Sequence, residues 1–101
     1  MEYNLIYLTE MNDGNIQQLL DSCVIINNRD IVLVMLQTAN RRFNQHHLDS
    51  NVIRGAAYLN AAGIVANEER DLSTVCKADL KKIKRIGDEI STAIRAVVDS
   101  R

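Results

Sequence analysis

Apolar residues recur at helical spacing along most of the chain. Ile16, Leu19, Leu20 and Cys23 predict a short helix near residues 15–24. Asn28 is expected to cap the next helix, because its side chain can accept a hydrogen bond from a free N–H group. The apolar residues that follow are spaced by one, three and four positions, at Ile31, Val32, Met35, Leu36, Ala39 and Phe43. This spacing predicts that the helix is amphipathic and covers about residues 29–45.

A third helix is predicted after Asp49 or Ser50, either of which can cap it. Its buried stripe is expected to comprise Ile53, Ala56, Ala57, Ala61 and Ile64. The many Gly and Ala residues between 55 and 63 allow another helix to approach closely. Residues 67–76 are polar and predict a loop with room for one helical turn.

The last segment predicts two helices joined by a tight turn. Leu80 and Ile83 are expected on one face of a short helix, and residues 85–87 form the turn. Asp88 and Glu89 then favour the first turn of a helix by complementing its dipole. Its apolar stripe is Ile90, Ala93, Ile94, Val97 and Val98. An apolar segment at residues 3–8 favours a short extended N-terminal segment. Taken together, the patterns predict an all-α fold of four or five short helices.

Composition narrows the class of protein. A chain of 101 residues with 47% apolar and 25% charged residues is one globular domain. Proline is absent and only 4 residues are glycine, which favours helices over β sandwiches. Cys23 and Cys76 are too few for a disulfide scaffold and predict buried thiols in a reducing compartment. No apolar run is long enough to span a membrane. We therefore expect no membrane partner and an intracellular location, in the cytoplasm or, in a eukaryotic or viral setting, the nucleus.

The net charge of −1 hides a strong asymmetry. Residues 1–27 carry four acidic residues and no base, whereas residues 28–101 carry 12 bases and nine acids, a net charge of +3. Bases are densest in residues 77–101, which hold seven of them against four acids. Such an asymmetry indicates either a polyanionic partner or a solvated helix face.

The residues around the predicted C-terminal turn resemble a helix-hairpin-helix motif. That motif has an apolar residue, any residue, glycine, an apolar residue and glycine, followed by a helix with apolar positions three, six and seven residues later. The matching residues are Ile86, Gly87, Ile90, Ala93 and Ile94. Arg85 stands where the motif usually has its first glycine. The free N–H groups of such a turn bind phosphate without reading base sequence.

The upstream helices extend the resemblance to the N-terminal helical domain of X-family DNA polymerases, over residues 28–101. The match includes Asn28-Arg-Asp-Ile31, Leu36, Ala39, Phe43, Arg54-Gly-Ala-Ala57-Tyr58, Ala61-Ala62 and Asp79-Leu80. The resemblance implies a domain with its helix-hairpin-helix at 78–99. Residues 1–27 are then an acidic N-terminal extension that packs on this domain or precedes it.

The resemblance implies a module of DNA repair or replication that binds DNA without sequence specificity. Its partner would be gapped, nicked or duplex DNA contacted through the backbone, with a polymerase or another repair protein as a further partner. The residues expected to bind DNA phosphate are Arg54, Lys81, Lys82, Lys84, Arg85, Ile86, Gly87 and Arg95. Lys81, Ile83 and Ile86 match positions whose backbone carbonyls hold a monovalent cation, Na⁺ or K⁺, in the family; no other cofactor is expected.

The family's lyase reaction uses a lysine amine that forms a Schiff base with an abasic sugar. That lysine falls on Ala93, which has no amine, and family phosphate-binding bases fall near Leu48, Asp49 and Glu89. We therefore expect no lyase activity. Two alternatives remain: a protein-interaction module that kept the fold without binding DNA, and a deoxyribose-phosphate lyase with a relocated lysine, which would be Lys81, Lys82 or Lys84.

Other residues have ordinary structural interpretations beside the functional ones. The adjacent His46 and His47 favour an exposed helix end over a metal site, since no ligand cluster shares their spacing. Tyr58 is expected to pack against the hairpin and not to stack on a base. Arg54 fits either a phosphate contact or a salt bridge to Asp49 or Asp30.

Overall fold

The computed structural model describes residues 13–44 and 49–101, and within them the fold is all-α, as predicted. The predicted extended segment at residues 3–8 and the pair His46-His47 lie outside the described residues. The described chain contains no strand. Its α-helices are α1 (Asp13–Asp21), α2 (Arg29–Asn44), α3 (Asp49–Asn67), α4 (Lys77–Leu80) and α5 (Asp88–Asp99), with two 3₁₀ helices at Ile26–Asn28 and Leu72–Thr74.

Helices α2 and α3 form the centre of the fold and make its most extensive helix contact. A Cβ atom added at the buried Gly55 would lie 3.0 Å from two ring atoms of Phe43, so the small residue lets the helices approach closely. The predicted stripe of α3 is confirmed at Ala61, which is buried, and at Ala56 and Ile64, which are partly buried, but it is wrong at Ile53 and Ala57, which are exposed. The buried side chains of α3 in the core are Tyr58, Ala61, Ala62, Val65 and Ala66.

Asn28 joins the two 3₁₀ helices and does not cap α2 as predicted. Its side chain is fully buried, so both ends of its amide need partners. Nδ2 donates to the carbonyl oxygen of Arg70 at 2.8 Å, and Oδ1 accepts from the N–H of Leu72 at 2.9 Å. The neighbouring Asn27 donates to Asp71 at 2.8 Å. These contacts link the start of α2 to the segment between α3 and α4.

Helix α1 packs on α2 and α3 through Ile16, Leu19 and Leu20, which are partly buried. Cys23 follows α1 and is buried as predicted, and this burial raises the pKa of its thiol. Cys76 was predicted to be buried but is exposed, because it lies in the surface segment just before α4.

Helix α4, the turn after it and α5 make up residues 77–99, which we call the α4–α5 unit. Leu80, Ile86, Ile90 and Ile94 bury their side chains in the core, and α5 contacts α2. Ile83 was predicted on the short helix with Leu80 but lies beyond its end, in the turn. None of the helices in the described residues is long and apolar enough to cross a membrane.

Candidate nucleic-acid interface

The turn between α4 and α5 has one residue in the left-handed backbone region. Successive i to i−3 hydrogen bonds, from Lys82 N–H to Asp79 and from Ile83 N–H to Leu80, continue the chain from α4. The N–H of Ile86 then donates to Ile83 O at 3.0 Å. Arg85, which lies between Ile83 and Ile86, has a φ of 71°, a conformation that favours glycine. Arg85 therefore occupies a backbone position that a glycine would adopt with less strain.

Helix α5 begins at this turn without a side-chain cap. Gly87 is its N-cap residue, and the first helical bond runs from Ser91 N–H to Gly87 O at 2.9 Å. The backbone of Gly87 is extended, and a Cβ added there would meet nothing within 4 Å. Neither conformation nor packing inside the described chain requires glycine here. The open space beside Gly87 leaves its backbone accessible to a ligand.

Carboxylates of the α4–α5 unit neutralise three of its lysines. Lys77 and Lys81 place their Nζ atoms 3.1 and 3.6 Å from the same oxygen of Asp88. Lys82 lies 3.1 Å from Asp79. The hydrogen bond and charge of Lys77, with the charge of Lys81, hold the pKa of Asp88 below its ordinary value. All these side chains are well exposed, so a stronger anion such as phosphate can compete for the lysines.

Lys84 and Arg85 differ from these lysines. Both are exposed, and neither forms an ion pair with any residue in the described part of the chain. Both line an open groove of about 440 Å³ between the turn and α3, together with Asn60, Ile64 and Ile83. Arg54 is also exposed on α3, but it does not line this groove. Lys84 and Arg85 are therefore the two bases of the α4–α5 unit whose charge no described carboxylate neutralises.

Arg95 is engaged inside the protein. Its Nη1 atom donates to the carbonyl oxygens of Ser73 and Val75, each at 3.3 Å, and its Nη2 atom lies 2.9 Å from Asp99. Its side chain is only 29% exposed. These contacts hold the second 3₁₀ helix against α5 and give Arg95 a structural role, and its phosphate contact stays a prediction.

Tyr58 connects α3 to the first turn of α5. The residue is buried, and its pKa is raised by this burial and by the charge and hydrogen bond of Glu89. The charges of Arg41 and Arg42 also act on the Tyr58 hydroxyl. Sequence reasoning missed these two arginines, although consecutive bases in the last turn of a helix were a visible signal. Their charges oppose the effect of burial and of Glu89 on the pKa of Tyr58.

The resemblance places the lyase lysine at Ala93 and a monovalent cation at carbonyls of the turn. Ala93 is partly buried against the core, and no group of three or more His, Cys, Asp or Glu within the described ranges could hold a metal ion. The Ile83 carbonyl, expected to hold a monovalent cation, accepts a hydrogen bond from the Ile86 N–H, so one of its two lone pairs is already used.

The chain was compared with protein-family models, with curated proteins and with solved structures, and none of them matches it.

Proposed function

We propose that the protein binds DNA without sequence specificity, through the turn that joins α4 and α5. The observation that carries this proposal is the exposed pair Lys84 and Arg85, which form no ion pair in the described residues and stand directly before the uncapped start of α5. Cationic side chains beside free N–H groups bind the phosphate backbone, and such contacts do not read bases. The proposal treats the α4–α5 unit as a helix-hairpin-helix of the type seen in X-family DNA polymerases.

The neighbouring residues support this role in different ways. Gly87 leaves its backbone open, so a phosphate can approach the N–H groups at the start of α5. Lys77, Lys81 and Lys82 contribute once DNA displaces their carboxylate partners, Asp88 and Asp79. Arg54 is exposed and can meet a backbone that continues past α3. The expected ligand is gapped, nicked or duplex DNA in a repair or replication setting.

The test is a fluorescence titration with gapped duplex DNA at two salt concentrations. Affinity should fall as salt rises, with a log–log slope of roughly −0.9 for each phosphate neutralised. The double variant Lys84→Ala/Arg85→Ala should weaken binding and flatten this slope. A control variant, Arg29→Ala/Arg70→Ala, removes the same charge from exposed positions outside the turn. Absence of binding at low salt, or equal losses in both variants, would contradict the proposal.

A protein-interaction module is the second function that a specific observation favours. Asp88 and Asp79 neutralise three lysines that DNA binding would use, and Ile26 exposes 72% of its surface beside Arg29 and Asp30. An exposed apolar side chain next to charged residues is typical of a contact site for a partner protein such as a polymerase. Loss of partner binding in Ile26→Asp with DNA affinity retained would separate the two functions.

Lyase activity is the remaining alternative, and it depends on a relocated amine. Lys84 is the best placed for it, since Lys81 and Lys82 are ion-paired. Borohydride trapping on a 5′-deoxyribose-phosphate substrate leaves a covalent adduct if a Schiff base forms. We expect no adduct, because Ala93 occupies the position that the family gives to its lysine.

The same protein titrated with Na⁺ and K⁺ tests whether a monovalent cation at the backbone carbonyls of Lys81, Ile83 and Ile86 strengthens DNA binding.

A further inference from the structure

The segment between α1 and α2 exposes two large apolar side chains close together. Val24 is 54% exposed and Ile26 is 72% exposed, and the two residues are separated by one position. In the described ranges only one other large apolar side chain, Ile53 on α3, is exposed. Water contact at such side chains is unfavourable, so a concentration of exposed apolar surface indicates a contact with another molecule.

The fold holds this apolar pair in place at the surface. The N–H of Val24 donates to the carbonyl oxygen of Ala66 at 2.9 Å, which ties the segment to the end of α3. Cys23, directly before the pair, and Asn28, two residues after it, are both buried. The pair therefore projects from between two anchored points. A partner that meets this surface does not have to order its backbone first.

A charged side chain flanks the apolar pair on each side along the chain. Asp21 ends α1 and Arg29 begins α2, and both side chains are exposed. Neither forms an ion pair with any residue that the structure describes. We call Asp21, Val24, Ile26 and Arg29 the 21–29 patch. Its order of acid, apolar pair and base is complementary to the same order running in the opposite direction.

The 21–29 patch also has a recess beside its most exposed side chain. This open recess of about 450 Å³ is lined by Ile26, Asn27, Arg29, Asp30 and Arg101. Nε of Arg101 donates to Asp30 at 2.9 Å, and Nη2 donates to the carbonyl oxygen of Asn27, so these walls are joined. A protruding apolar side chain and a recess therefore lie next to each other on one surface.

We propose that the 21–29 patch forms a weak homodimer with two-fold symmetry, in which Ile26 of each copy enters the recess of the other. Around a two-fold axis the same surface meets itself, so every contact occurs twice. The two segments then run antiparallel, and Asp21 of each copy meets Arg29 of the other. An apolar centre with a charged rim is the usual arrangement of a protein interface.

A second copy fits this surface better than an unrelated partner, because the surface carries both halves of each contact. It has an acid and a base that lack ion-pair partners in the described residues, and it has both the protruding side chain and the recess. The inference does not rest on the proposed function, since none of these residues lines the groove at the turn.

Analytical ultracentrifugation of the full-length chain between about 10 μM and 1 mM measures dimer formation. Because the patch is small, we expect a dissociation constant of roughly 100 μM. The apparent mass should rise with concentration from 11.4 kDa toward twice that value. Ile26→Asp puts a charge into the recess and should weaken the dimer by about tenfold or more. The matched control Ile53→Asp makes the same change at an exposed position outside the patch and should behave as wild type.

Two charge reversals test the antiparallel arrangement. Asp21→Arg sets two arginines against each other at both edges, and Arg29→Asp does the same with two aspartates. Each variant alone should dimerise about tenfold more weakly than wild type, because like charges repel at the interface. An equimolar mixture should recover wild-type affinity, because one copy of each variant restores both opposite-charge contacts. The double variant Asp21→Arg/Arg29→Asp should dimerise as wild type for the same reason.

Recovery in the mixture also shows that each variant is folded. A wild type that stays at the monomer mass throughout the concentration range overturns the inference and leaves the patch to a different partner protein. A dimer that survives Ile26→Asp also overturns it, because the contact must then lie elsewhere. A mixture that stays as weak as its two components overturns the antiparallel two-fold arrangement. The DNA titration tests the proposed function separately, so failure of one proposal is distinguishable from failure of the other.

Discussion

The α2–α3 pair and the α4–α5 unit use their polar groups in opposite ways. Around α2 and α3, buried polar groups such as Asn28 are hydrogen-bonded, and no buried side-chain N or O atom among the described residues lacks a partner. In the α4–α5 unit, Lys84 and Arg85 carry charge that no described carboxylate neutralises, and α5 starts without a side-chain cap. Folding accounts for the buried polar groups of the first region, whereas it does not need the unneutralised charges at the turn of the second.

This comparison predicts the largest loss of stability in the first region. Leu36 is 2% exposed in the core, so Leu36→Ala leaves a cavity and should lower the free energy of unfolding by about 3 kcal/mol. Urea denaturation followed by circular dichroism measures the change. Val24→Ala, at a residue 54% exposed, should stay within about 0.5 kcal/mol of wild type. Equal effects of the two substitutions would break the comparison.

The Asn28 contacts should give the next largest effect. Asn28→Ala removes two hydrogen bonds, to Arg70 and Leu72, and leaves a buried N–H without its acceptor. We expect unfolding to become easier by about 2 kcal/mol. The neighbouring Asn27→Ala removes one exposed hydrogen bond and should change stability by less than about 0.5 kcal/mol. Similar denaturation midpoints for both variants would mean that burial of the Asn28 amide contributes little.

Arg85→Gly should move stability and binding in opposite directions. Glycine relieves the strain of the positive φ, so the free energy of unfolding should rise by about 1 kcal/mol. The same change removes a cation from the turn and should weaken DNA binding at low salt. Arg85→Lys keeps both the charge and the strain, and we expect nearly wild-type values in both measurements. A variant Arg85→Gly that binds DNA as well as wild type would remove Arg85 from the interface.

Sequence reasoning predicted the fold better than the surface. Helical spacing located α2, α3 and α5, because a buried stripe repeats at a fixed interval. It failed at Ile53 and Ala57 of α3, since the face that a helix buries depends on how two helices meet, as at the close approach of Gly55 to Phe43. The role of Asn28 was also hidden, because its partners lie 42 and 44 residues away.

The basic cluster shows the same limit at the candidate site. The sequence identifies the bases of residues 77–101 but not their partners. Lys77 meets Asp88 only because the turn folds α5 back toward α4. Arg95, equally basic by sequence, points to the carbonyls of Ser73 and Val75. Local spacing therefore cannot separate engaged cations from available ones.

The smallest predicted effect concerns Asp88, whose carboxylate competes with DNA for two lysines. Asp88→Asn frees Lys77 and Lys81, so DNA affinity should rise roughly two- to fivefold at low salt and less at high salt. Because these lysines lower the pKa of Asp88, its carboxylate stays charged above the ordinary Asp value of about 3.9. Above that value the stabilising ion pairs of Asp88 with Lys77 and Lys81 are present. They are lost only as pH falls through the lower pKa that Asp88 has in the folded protein. The gain in affinity should therefore be constant between about pH 5 and 8. Asp99→Asn, which removes the same charge beside Arg95, is the control, and an equal gain in that variant would show that only net charge matters.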